Sequence, residues 1–117
     1  MGLWCTECYD FEGTYGMQFD MEKGAGLDYR ESAMNHAMVI TGVDLDEEGN
    51  ARKWKIQNSW SDEHGEKGYY LMSADWFDRY VYQAVINKKY LTKEQLEEAA
   101  GEPVHLNPWD PMGTLAQ

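Results

Sequence analysis

Basic charge is scarce in this sequence: 10 Lys and Arg stand against 21 Asp and Glu in 117 residues, a formal net charge of −11. A phosphate-neutralising face is therefore not to be expected, and nucleic acid is excluded as a partner, because such binding draws most of its affinity from Lys and Arg. No apolar run approaches the roughly 18 to 20 residues that cross a bilayer, so a membrane partner is excluded too. The first ten residues lack the basic and apolar regions of a signal peptide, and the expected location is the cytoplasm. Two cysteines, Cys5 and Cys8, are too few for a disulfide framework. Their Cys-x-x-Cys spacing matches redox and zinc sites, but no second such pair and no His-x3-5-His accompany it, and no strand is expected before it. Two reduced thiols near a chain end, no metal and no cofactor are the expectation.

Aromatic residues are plentiful, with eight Tyr, five Trp and three Phe. That composition is incompatible with disorder and points to one folded unit. Residues 1–30, with Gly13, Gly16, Gly24 and Gly26 scattered among charges, read as an irregular segment. Residues 37–43 (AMVITGV) form a short β-branched run followed by turn chemistry at Asp46-Glu47-Glu48-Gly49-Asn50, which predicts a strand and a hairpin loop. The returning strand, Lys53-Trp54-Lys55-Ile56-Gln57-Asn58, alternates so that Trp54 and Ile56 face a core. A further strand is expected over 69–72 and another over 81–86 (VYQAVI), separated by a short helix capped by Ser73. Thr92-Lys93-Glu94-Gln95 has the form of a capping box that opens a helix ending near Gly101. Residues 103–117 hold three prolines yet carry Val104, Leu106, Trp109, Met112 and Leu115, so they read as an arm that docks on something.

The hairpin brings one chemically suggestive pair together. A turn centred near Glu47 places His36 directly opposite Asn58, with Cβ atoms about 4.5 to 5.5 Å apart. An imidazole held by an amide oxygen is either a satisfied polar contact or the orienting half of a thiol-activating site. A register one residue off would put the two side chains on opposite faces.

The local words favour the second alternative. Asn35-His36-Ala37-Met38-Val39-Ile40-Thr41-Gly42, then Trp54-Lys55-Ile56-Gln57-Asn58-Ser59-Trp60, then Gly65-x-x-Gly68-Tyr69, resemble the second half of papain-family proteases. Tyr9-Asp10-Phe11-Glu12-Gly13, Arg30-Glu31-Ser32-Ala33-Met34-Asn35-His36 and Pro108-Trp109-Asp110-Pro111-Met112-Gly113-Thr114-Leu115-Ala116 are more closely similar to the bleomycin hydrolase and aminopeptidase C branch. The resemblance implies an α+β fold: the C-terminal, β-rich half of a papain-like proteinase, an antiparallel sheet with short helices and a C-terminal arm. It divides the chain into an N-terminal segment (1–30), a core (31–102) and the arm (103–117), together one partial domain.

The same resemblance implies His36 as general base and acid, Asn58 as its orienter, and Trp60 as the ring that shields their hydrogen bond. It implies that the arm, ending in Ala116 and Gln117, lies in the cleft of an aminopeptidase that takes peptide substrates and assembles as a homo-hexamer. The nucleophilic Cys and an oxyanion-hole Gln would belong to a missing N-terminal half, leaving this chain inactive alone. A non-catalytic binding or regulatory module that retains the fold is the alternative. Ser61 departs from the family pattern, which has Gly after the Trp, and Asn35 stands where this branch often has Thr.

Overall fold

The computed structural model describes residues 2–112. Its centre is a four-stranded sheet of β1 (Gly2–Trp4), β2 (Val39–Leu45), β3 (Ala51–Gln57) and β4 (Tyr69–Ser73), in the spatial order β1-β4-β3-β2. Around it stand four short helices: α1 (Phe11–Tyr15), α2 (Lys23–Asp28), α3 (Ala74–Tyr80) and α4 (Lys93–Ala99). The α+β class holds. The sheet, however, is mixed rather than antiparallel, because β1 runs parallel to β4 while the other pairs are antiparallel.

Alternation along β3 builds the core as expected. Trp54 is half-buried and Ile56 fully buried, while Lys53 and Lys55 face outward. On the same face Ile56 pairs with Tyr70 and Trp54 with Met72. Helix α3 covers this face: Phe77 stacks on Trp54 with centroids 4.6 Å apart, and Trp76 lies 5.5 Å from Trp4. The hairpin tip is closed by Asp46, whose carboxylate accepts the Asn50 N–H at 2.7 Å and the Asn50 side-chain amide at 3.0 Å. Those bonds, the side-chain one first, hold the Asp46 carboxyl below its ordinary value.

Several sequence expectations are corrected. Residues 1–30 are not simply irregular. Asp10 caps α1 through the Gly13 N–H, Gly16 ends it in the left-handed region at φ 64°, and β1 adds an edge strand. Residues 81–86 form no strand, since both strands at the sheet's edges lie elsewhere and Val85 is 98% exposed. Without a neighbour to pair with, β-branched composition does not make a strand. Ser73 stands at the N-cap of α3, but its hydroxyl donates to the Trp4 carbonyl at 3.2 Å instead of capping the helix. The capping box of α4 forms as read, with Thr92 and Gln95 bonding reciprocally.

Cys5 and Cys8 are joined in a disulfide rather than standing as free thiols. The turn that follows β1 brings their Cα atoms to 5.5 Å, within the span a disulfide bridges. Thr6, inside that turn, donates its N–H and hydroxyl to Asp75 at the start of α3. Burial pushes the Asp75 carboxyl up, but the hydrogen bonds from Thr6 and from the helix's first N–H groups outweigh it, and the net direction is down.

The sheet and α3 enclose little. Leu27, Ile56 and Met72 are the buried apolar residues among those described. The accessible surface is 9766 Å², against about 6,500 Å² for a compact monomer of this mass. The radius of gyration is 16.8 Å, against about 13 Å for a compact domain of this length. Val104, Leu106, Trp109 and Met112 of the arm are exposed, as are Val85, Ile86 and Tyr90 before it. No helix among the described residues is long and apolar enough to cross a membrane.

Candidate active site

The site forms where β2 begins and β3 ends. The observed ladder pairs Val39 with Gln57 and Ile40 with Ile56, two positions away from the register expected; an irregularity at Ile40/Gly42 adds one more, and the one at Asp44/Leu45 takes it back. Extended past its last pair, the ladder sets Met38 rather than His36 opposite Asn58. A shift of two keeps the same face, so His36 becomes the diagonal neighbour of Asn58 and remains within reach. The side chains meet there: His36 Nε2 lies 2.8 Å from Asn58 Oδ1.

Backbone geometry fixes which atoms meet. Asn58 is 7% exposed, and its N–H donates to the Gly68 carbonyl at 3.0 Å, closing the loop over residues 59–67. Its Oδ1 also accepts the Ser59 N–H at 2.8 Å. A backbone N–H can only donate, so this second bond identifies the atom facing His36 as the amide oxygen. His36 Nε2 must then carry a proton and donate. In a neutral imidazole this leaves the Nδ1 lone pair free to accept a proton, and among the described residues nothing bonds to it. His36 itself is exposed, so that lone pair is open to a group from outside the chain.

Trp60 follows on the same loop, its ring centroid 5.3 Å from the His36 ring at a 30° tilt. It is 52% exposed, so it covers the imidazole from one side only. Ser61 holds a left-handed backbone at φ 80°, which is the conformation that glycine adopts without strain. A shallow hollow of about 390 Å³ lies beside the pair, lined by Ala37, Met38, Val39, Gln57, Asn58 and Ser59.

Other predicted residues lie elsewhere. Cys5 follows β1, at the far edge of the sheet from β2 and at the end where Met72 and Lys53 sit, whereas His36 and Asn58 occupy the Tyr69 and Gln57 end. The disulfide is thus diagonally across the sheet from the imidazole, and no thiol of this chain stands near it. Ala116 and Gln117 fall outside the described residues. Among the described residues, no cluster of three His, Cys, Asp or Glu side chains could hold a metal. Sequence reading missed the Ser59 N–H and the packing of Tyr70 against Trp60. The first leaves no mark in side-chain patterns. The second was accessible, since Tyr70 shares a sheet face with Ile56.

Known proteins extend the pattern over nearly the whole chain. Aminopeptidase C of Streptococcus thermophilus is 50% identical over 115 residues, covering 98% of this chain and 26% of that protein. Aminopeptidase C of Lactobacillus helveticus is 50% identical over 118 residues, with the same coverage. The crystal structure of PepW from Lactobacillus rhamnosis HN001 superimposes with a TM-score of 0.84 at 47% identity, covering 97% of this chain and 26% of that one. The chain spans about a quarter of the length of these relatives. The Peptidase C1-like family profile matches residues 1–113, and the chain belongs to that family.

Proposed function

We propose that this chain is the C-terminal part of a cysteine aminopeptidase, supplying the histidine and asparagine of a site whose thiol comes from a complementary segment. The observation that carries the reading is the double acceptance at Asn58 Oδ1, which leaves Nδ1 of His36 as a base directed outward. In that role Nδ1 takes the proton of an incoming cysteine thiol, giving a thiolate and imidazolium pair. Asn58 Oδ1 accepts from the imidazolium Nε2 and fixes the ring's orientation without adding charge. After the thiolate attacks the peptide carbonyl, His36 returns the proton to the leaving amine. Trp60 limits water access to the Nε2–Oδ1 bond, which strengthens it.

Peptides with a free N-terminus are the proposed substrates, following the aminopeptidase relatives. Residues 103–117 serve as the arm that enters the cleft, residues 1–102 pack against the complementary segment, and the complete enzyme assembles as a hexamer. The large exposed apolar surface supports the need for such a partner.

The test is complementation. The chain alone should neither turn over aminoacyl fluorogenic substrates nor be labelled by an epoxide thiol inhibitor. Co-expressed with the N-terminal three-quarters of the Streptococcus thermophilus enzyme it should give turnover that His36→Ala abolishes. Turnover by the chain alone, lost in Cys5→Ala, would refute the proposal. A second reading, a binding module that keeps the fold without catalysis, is favoured by the missing thiol. It predicts association with that segment but no turnover.

A further inference from the structure

The indole that covers His36 is itself held in place. The ring of Tyr70 meets Trp60 edge-on, with centroids 6.2 Å apart and planes at 88°. Tyr70 is in turn immobilised on three sides. One face stacks on Trp4 at 5.3 Å and 14°. One edge lies against Gly2, where an added Cβ would overlap ring atoms Cδ1 and Cε1, and the opposite edge lies against Gly65, where a Cβ would sit 2.9 Å from Cε2 and Cζ. Two glycines therefore form a slot that admits this ring in one orientation, and the slot's floor is the buried Ile56 side of the sheet.

Rings in such contact transmit position because edge-to-face geometry is directional and packed side chains have few alternative rotamers. Trp60 has no comparable support of its own. It is half-exposed, and its described ring contacts are His36 and Tyr70. From this we infer that Tyr70 is a positioning residue for the His36–Asn58 pair, acting through Trp60, and that β1 contributes to the site by supplying Gly2 and Trp4. The inference rests on reading that pair as the catalytic base and its orienter, but the geometry it concerns can be measured without turnover. Tyr70 touches no reacting group. These contacts are all to its ring and none to the phenol oxygen.

The experiment is NMR of the full chain labelled at histidine, following solvent exchange of the His36 Nε2 proton and the shift of the His36 carbon-bound ring protons under the Trp60 ring current. Tyr70→Phe should match the wild type, because the ring remains. Tyr70→Leu should speed Nε2–H exchange by roughly tenfold, the upper range for loss of one edge-to-face ring pair, and move the ring protons toward their unstacked positions. Tyr69→Leu, on the opposite sheet face, should do neither. Where Tyr70→Leu fails to fold, Gly2→Ala carries the test, since it displaces the ring without removing it, and the same two changes are expected. Wild-type exchange and shifts in folded Tyr70→Leu or Gly2→Ala would overturn the inference. So would Tyr70→Phe behaving like Tyr70→Leu. Failure of complementation would count against the proposed function and leave these readings unaffected.

Discussion

Replacing Gly65 by Ala should cost this chain about 3 kcal/mol, and Gly16→Ala is the matched control that separates the steric cost from the ordinary cost of a Cβ at positive φ. Gly65 and Gly16 have nearly the same backbone, φ 66° and φ 64°. A Cβ in that region costs roughly 1 to 2 kcal/mol, offset by about 0.4 to 1 kcal/mol from the stiffer unfolded chain. Gly16 has no atom within 4 Å of an added Cβ, so Gly16→Ala should cost about 1 kcal/mol. At Gly65 the same Cβ would stand 2.5 Å from the Tyr69 carbonyl and 2.9 Å from the Tyr70 ring. That carbonyl accepts the Glu66 N–H at 2.9 Å and is not free to move away. Overpacking of this kind adds roughly 1 to 3 kcal/mol. Urea denaturation followed by tryptophan fluorescence would give both values, with unchanged m as the condition for comparing them. A Gly65→Ala loss within about 0.5 kcal/mol of the Gly16→Ala loss would refute the steric part of the argument.

Two further outcomes follow from the site and the sheet ends. Asn58→Ala leaves the Ser59 N–H and His36 Nε2 without their shared acceptor, and should lower stability by about 1 to 3 kcal/mol. The same substitution should release the Nε2 proton to fast exchange, whereas unchanged exchange would show that Asn58 does not hold the imidazole. The carboxyls of Asp46 and Asp75 lie below their ordinary value of 3.8 in the folded chain. Their hydrogen bonds therefore stabilise fully above that value and are lost as pH falls through the lower folded values. Amide resonances of Asn50 and Thr6 should shift in that acid range, and Asp46→Asn and Asp75→Asn should each abolish only its own transition.

Legibility tracked the distance over which a feature is encoded. The capping box at Thr92, the alternation of Trp54 and Ile56, and the turn chemistry from Asp46 to Asn50 depend on residues within a few positions, and each was readable. The pairing of His36 with Asn58 was anticipated for a partly mistaken reason. The expected register was off by two, and the contact survived because a displacement of two preserves the face of a strand.

By itself, then, the sequence determined the β-hairpin, the strand faces and the family words around His36, Asn58 and Trp60, because periodicity and turn residues act locally. Tertiary structure alone decided what depends on remote partners. It placed β1 in parallel beside β4, left residues 81–86 without a strand to pair with, and set the Cys5–Cys8 bridge at the opposite edge of the sheet from the imidazole. It also slid Tyr70 between two glycines 63 positions apart. Such meetings depend on how elements stack in space, and no spacing along the chain encodes that.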